Sequence, residues 1–233
     1  MKKYKLNSPP KNVTVGNGFD KSSSINISEG SLSALNSGML KLTILKHGDK
    51  PFISSLDITL ESSSGNIVIY VGDDNASVRL LQGSRGKFDI RLWRNSLVQI
   101  GKNTSSNGIK IVCANSSFFC GEDCMFSDDI LIQTADQHGI VDLRQGRIVN
   151  DIHKTVKLGD HVWVGRQCTL TSRCEIGDGS IIGTGAIVTG KIPSKVIAVG
   201  TPAKVIKEDT TWCRSPSTLD DFSKKYIEEH SII

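Results

Sequence analysis

The sequence predicts an all-β fold, a solenoid of short strands wound as a β-helix. Three observations predict it. From Leu158 to Pro193 the chain repeats every six residues, with an aliphatic residue opening each hexad: Leu158, Val164, Leu170, Ile176, Ile182 and Val188. Glycine often follows (Gly159, Gly165, Gly177, Gly183), and the fifth position is small or aliphatic (Val162, Cys168, Cys174, Ser180, Ala186, Ile192). A period of six fits neither a helix at 3.6 nor a hairpin strand at 2, but it fits short flat walls joined by tight corners. Second, short alternating apolar runs bounded by Gly, Ser, Asn or Asp begin at Leu40. Third, aromatic residues make up only 6% of the 233 residues, which suits a narrow core of stacked aliphatics.

Residues 1–38 are rich in Ser, Asn, Gly and Lys, and are expected to be a loosely structured lead-in or an arm on a neighbour. Residues 39–207 form the β-helix domain. Its irregular start comprises Leu40-Leu42-Ile44, Leu56-Ile58-Leu60, Ile67-Ile69-Val71, Phe88-Ile90-Leu92 and Ile109-Ile111. Hexads open again at Cys120, Phe126 and Ile132. The next opening position is His138, and the pattern then fails until Ile152. A loop over 139–151 is therefore extruded, and loops leaving a regular scaffold tend to carry function. Three hexads per coil stack Leu158 under Ile176, Val164 under Ile182 and Leu170 under Val188. On that count Trp163 and His161 are outward or corner residues. Residues 208–233 are a tail in which Leu219–Ile233 is expected to form a short helix, with Leu219, Phe222 and Tyr226 on one face.

Cys120, Cys124, Cys168 and Cys174 fall at inward positions, so they read as reduced apolar side chains, and no metal site or disulfide framework is expected. The net charge of +4 is mild and spread out, which argues against nucleic acid and suits anionic ligands. The N-terminus MKKYKLNSPP lacks an apolar signal region, and no apolar run approaches a membrane span, so a cytoplasmic location is expected.

Three segments carry a resemblance: TADQHGIVDLRQGRIVN, GDHVWVG and VGTPAKVIKEDTTWCR. They are similar to the catalytic loop, coil resumption and closing segment of the hexapeptide-repeat acyltransferases, most like bacterial O-acetyltransferases of surface polysaccharides, the sialic-acid capsule type included. Gly139 stands where that family usually carries Pro, and GRIV where GERI is usual. The resemblance implies a left-handed parallel β-helix of hexapeptide repeats, although the general crossover rule favours the opposite hand. It implies acetyl-CoA as co-substrate, a glycan acceptor, and a homotrimer with sites between subunits.

By the same resemblance His138 is the general base and Asp136 orients it or caps the turn. A neutral imidazole suits this work, because a hydroxyl must lose its proton to attack a thioester. Trp163, Arg147 and Asn150 fall on the substrate side. Trp163, Gly165, Arg166, Gly183, Thr184, Thr189, Lys204 and Lys207 fall along the cofactor, the backbone amides of the glycine coils bonding pantetheine and the lysines meeting phosphate. His153 and His161 are rival bases. Transfer to a sugar hydroxyl is the reaction implied, with amino-sugar N-acetylation as the alternative. A metal-dependent anhydrase on the same solenoid would need three converging histidines, an array that His138, His153 and His161 do not show. Trp93 carries no reading.

Overall fold

The computed structural model describes residues 1–230, with every side chain except that of Phe222. It is a left-handed β-helix of about seven turns. Two long sheets run along the solenoid, one of nine strands from Lys2–Lys5 to Lys191–Ile192, the other of thirteen from Val13–Val15 to Lys204–Lys207.

The register shows why hexads are legible in only half of the chain. Among the C-terminal coils the step is 18 residues: Trp163 pairs with Ile181 and Leu170 with Val188. Leu158 pairs with Ile176 and Val164 with Ile182, as the hexad count requires. Nearer the N-terminus the step is 21 (Gly65 to Gly86) and then 20 (Arg85 to Ser105, Ser105 to Met125). There, one long strand per coil replaces two short ones. Ser105–Ala114 marks the change, since its first residues pair with Met125–Phe126 and its later ones with Ile130–Gln133. A register shift between Ser106 and Ile109 absorbs the extra residues.

The core is a set of ladders with one residue per coil. Ile44, Ile69, Ile90, Ile111, Ile132, Leu170 and Val188 form one, and Ile25, Ile58, Val78, Val98, Phe118 and Val156 another. All thirteen are fully buried. Each residue covers its neighbours above and below, so the apolar surface of one coil is hidden only by the next. Cys113, Cys120, Cys124, Cys168 and Cys174 are buried free thiols within this stack. Burial pushes the thiols of Cys113 and Cys174 up to about 12, which leaves them inert.

Residues 1–38 are not loose. Lys2–Lys5 pairs antiparallel with Ser24–Ile27, which starts the parallel stack on Leu56–Leu60. The helix Glu29–Ser37 begins at Ser28, whose hydroxyl accepts from Ser31 N–H at 3.1 Å, and ends at Gly38 with φ 79°. Composition hid these elements because the strands are short and polar on one face. At the other end Lys204–Lys207 lies antiparallel on Ile197–Val199. Both solenoid ends thus finish in an antiparallel, lysine-bearing strand, a device that discourages further edge pairing. The tail then crosses back over the coils to a helix at Asp221–His230. Of the helix expected over 219–233, residues 231–233 lie outside the described residues.

Candidate active site

The wall Ile130–Gln133 ends at the buried Thr134, whose hydroxyl bonds Ser116 Oγ at 2.5 Å and Val112 O at 3.0 Å. Pinned there, the chain leaves the solenoid and returns at the strand Lys154–Leu158. Within the excursion Val141–Asp142 and Arg147–Ile148 pair as a small hairpin. Asp142 holds its turn by accepting the amides of Arg144 and Gln145 at 2.8 and 2.9 Å.

Asn150 closes the base of the hairpin. Its Oδ1 accepts Ile140 N–H at 2.7 Å, and its Nδ2 donates to His138 O at 2.8 Å and to Asp136 Oδ2 at 3.2 Å. The same Asp136 oxygen takes the Lys154 ammonium at 2.7 Å. Lys154 is 7% exposed, so this charge is anchored in the scaffold. Its hydrogen bond, followed by that of Asn150, holds the Asp136 carboxyl below the usual carboxylate range. The segment Asp136–Ile140 is therefore fixed from both sides, and His138 stands exposed on it at the mouth of a pocket of about 160 Å³. Arg94, Ala114, Asn115, Ala135 and Asp151 complete much of the wall. Arg94 Nη2 meets Asp151 Oδ1 at 3.0 Å, tying the hairpin to the coil above.

The structure thus brings His138, Asp136 and Asn150 together, but gives two of them different work. The Asp136 carboxylate is directed to the side chains of Lys154 and Asn150, not to the imidazole. Asn150, expected on the substrate side, is spent on the backbone of the loop. Arg147 is exposed and bonds Gln145 Oε1 at 2.6 Å within the hairpin.

Trp163 lies half-buried on the wall Met125–Trp163–Ile181, its indole N–H 3.4 Å from Ser127 Oγ. It is not among the residues lining the His138 pocket of the same chain. Gly165 and Gly183 stack at the corner after that wall, with Arg166 and Thr184 exposed beside them. Arg166 Nε meets Asp128 Oδ1 at 2.7 Å. The amides of Gly165 and Gly183 donate to Ile182 O at 2.7 Å and Ala198 O at 2.9 Å. They are consumed by the parallel ladder, so they are not free to bond pantetheine. Glycine is needed there for packing: a Cβ on Gly165 would stand 2.8 Å from Ile182 O and from Thr184 N. Lys204 and Lys207 project from the closing strand opposite Val199 and Ile197. Thr189 follows Ile187–Val188 at another corner, in the column of Thr171 and Gln133 below the His138 loop. The eight expected cofactor residues therefore divide between two corners and one wall.

His161 takes the corner alternative, with φ 54°, and the tail covers it. It is not outward but 1% exposed, with Nδ1 2.8 Å from Asp123 Oδ2 and Nε2 2.9 Å from Trp212 O. Its ring stacks on Trp212 at 4.2 Å, and Trp212 Nε1 returns a bond to His161 O at 2.7 Å. Arg214 Nη2 meets Asp123 Oδ1 at 2.6 Å. Burial works against the Asp123 charge, but hydrogen bonds from His161 and Arg214 outweigh it and hold its carboxyl below the usual range. This cluster fastens the tail to the coils. His153 is exposed and bonds Ser117 Oγ at 2.9 Å.

The β-helix is the fold of hexapeptide-repeat proteins, and residues 155–190 match the family described as bacterial transferase hexapeptide (six repeats). Particular relatives narrow it. The chain is 36% identical over 139 residues to the polysialic acid O-acetyltransferase of Escherichia coli O1:K1 / APEC, covering 59% of this chain and 45% of that protein. It is 28% identical over 113 residues to the galactoside O-acetyltransferase of Escherichia coli (strain K12), covering 48% and 55%. The chain thus spans about half the length of these curated relatives. The crystal structure of the polySia specific acetyltransferase NeuO superposes with a TM-score of 0.66 at 28% identity, covering 76% of this chain and 89% of that one.

Proposed function

We propose that the protein is an O-acetyltransferase that moves an acetyl group from acetyl-CoA to a hydroxyl of a bacterial surface glycan, with His138 as general base. The observation that carries the reading is an exposed imidazole on a backbone segment fixed by Asn150 and Lys154 beside a pocket. Such pre-organisation is what a positioned base requires. His138 takes the proton of the acceptor hydroxyl as its oxygen attacks the thioester carbonyl carbon. The tetrahedral intermediate collapses, the C–S bond breaks, and CoA thiolate leaves and is protonated by the imidazolium. No acyl-enzyme is needed. Acetyl-CoA is the co-substrate, and its track follows Trp163, Arg166 and Thr184 toward Lys204 and Lys207. Acetyl-CoA is a cytoplasmic metabolite, so the reaction belongs in the cytoplasm.

The chain works as a homotrimer in this reading. Trp163 does not line the pocket of its own His138, so the second half of each site comes from a neighbouring copy. The hairpin supports this, because Ile140, Val141, Leu143, Ile148, Val149 and Ile152 are all exposed, Leu143 at 93%. A patch of that kind calls for a cover. Among the described residues no helix is long and apolar enough to cross a membrane.

The test is thiol release from acetyl-CoA against polysialic acid, galactosides and other glycans, with mass spectrometry of the acceptor. Acceptor-stimulated release with an O-linked acetyl on the glycan is expected. Absence of stimulation by every glycan, or an acetyl found only on amino groups, contradicts the proposal.

A further inference from the structure

One corner of the solenoid runs straight into the catalytic loop. Its outward positions, one per coil, are His47, Gly72, Trp93, Ala114 and Ala135. Trp93 pairs with Ala114 in the strand register, and Ala135 follows one coil on, since Val112 pairs with Gln133. His138 is three residues past Ala135. The two alanines form a shallow floor inside the His138 pocket, with Arg94 and Asn115 on its rim.

Trp93 stands at the far end of this floor, half-buried. Its indole lies directly on Gly72: a Cβ there would come within 2.3 Å of Trp93 Nε1. His47 meets the ring edge-on, with centroids 5.7 Å apart at 88°. The ring is thus held in one orientation by a coil that leaves room for it. A large aromatic kept rigid beside a polar pocket is suited to the apolar face of a sugar ring. Arg94 is about half exposed and engages Asp151, while its five N–H donors leave others open to the same ligand.

We propose that Trp93 is the platform for a sugar residue next to the one acetylated, so that the acceptor is a sugar chain and not a single sugar. This rests on the acetyltransferase reading of His138. Coils are spaced about 4.8 Å apart, so Trp93 lies roughly 10 Å from Ala135. One sugar ring cannot touch both Trp93 and His138; two linked rings can. The acceptor enters from the N-terminal coils and runs down this corner, away from the Gly165 and Gly183 corner.

The experiment compares acceptors of graded length: polysialic acid cut to oligomers, its monomer N-acetylneuraminic acid, and methyl β-galactoside. Thiol release is followed for wild type, Trp93→Ala, Trp93→Phe and Gly72→Ala. Trp93→Ala is expected to raise KM for the oligomers about tenfold, with kcat and KM for acetyl-CoA unchanged. Trp93→Phe retains most of the affinity. Gly72→Ala displaces the ring without removing it and reproduces part of the defect. Wild type uses the monosaccharides poorly, and the variants do not change that. If a monosaccharide serves as well as its oligomers, or KM for the oligomers is unmoved in Trp93→Ala, the platform is refuted while the acetyltransferase reading stands. A Trp93→Ala chain that sediments as a smaller species makes Trp93 a subunit contact and also refutes it. If no acceptor of any length drives release in wild type, the reading itself falls and takes the platform with it.

Discussion

Replacing Asn150 with Ala removes the clamp on the His138 loop without touching the imidazole. Three hydrogen bonds are lost: from Ile140 N–H at 2.7 Å, to His138 O at 2.8 Å and to Asp136 Oδ2 at 3.2 Å. The side chain is half-buried, so each bond contributes toward the lower end of the usual range, and together they hold the loop by about 2 kcal/mol. Two kcal/mol is roughly a thirtyfold change in the population of the positioned loop. A general base must sit within hydrogen-bond reach of the hydroxyl it deprotonates, and an ångström of displacement is costly. We expect kcat to fall about ten- to thirtyfold in steady-state thiol release. KM for acetyl-CoA should not change, because Arg166 and Thr184 lie on another corner. The melting temperature should stay within about 2 °C, since the hairpin lies outside the core ladders. Asn150→Asp should not rescue: it keeps an acceptor for Ile140 N–H, loses both donors and sets a second carboxylate against Asp136. A kcat within twofold of wild type would refute the clamp. So would an equal rise in KM for acetyl-CoA.

Other outcomes follow from the same geometry. Lys154→Met keeps the buried stem but removes the ammonium, so the Asp136 carboxyl should titrate nearer its ordinary value, and NMR titration of that carboxyl checks it. His161→Ala leaves Asp123 and Trp212 O without their buried partner and opens a cavity, at a cost of about 2–4 kcal/mol; the melting temperature should fall by several degrees, and limited proteolysis should cut between residues 207 and 221. Because the folded Asp123 carboxyl is held below its ordinary range, its contribution is present above about pH 4 and is lost as pH falls through the lowered value. Melting curves of wild type should therefore drop at acid pH below that point, and more steeply than those of Asp123→Asn. Gly165→Ala forces a Cβ to 2.8 Å from two backbone atoms, and calorimetry should show a loss of about 1–3 kcal/mol.

How much of this could be read from the residues depended on distance along the chain. The 18-residue coils were legible because Leu158, Ile176 and their like recur at fixed intervals, and the extruded loop that carries His138 was legible as the place where the count breaks. The coils before it step by 20 to 33 residues, against 18 after it, so the period of six is lost over most of that stretch. Trp93 lies in that stretch, and its place beside Gly72 depends on residues a coil apart. The burial of His161 was not legible because a repeat count describes the coil alone, while the tail that covers it returns from about fifty residues further on. Asp136 was close to His138 in sequence and so suggested a dyad. The nearer cation was Lys154, which only the re-entry of the chain into the solenoid brings alongside. The amides of Gly165 and Gly183 looked available because ladder bonds between coils leave no mark in sequence.

The most direct measurement is the turnover of His138→Ala with saturating acetyl-CoA and the best glycan acceptor. Removing a general base costs about 10²- to 10⁴-fold. The account predicts a loss of that size in kcat, with unchanged KM for acetyl-CoA, an unchanged melting temperature and an unchanged sedimentation coefficient. Turnover by His138→Ala within a few-fold of wild type would contradict it.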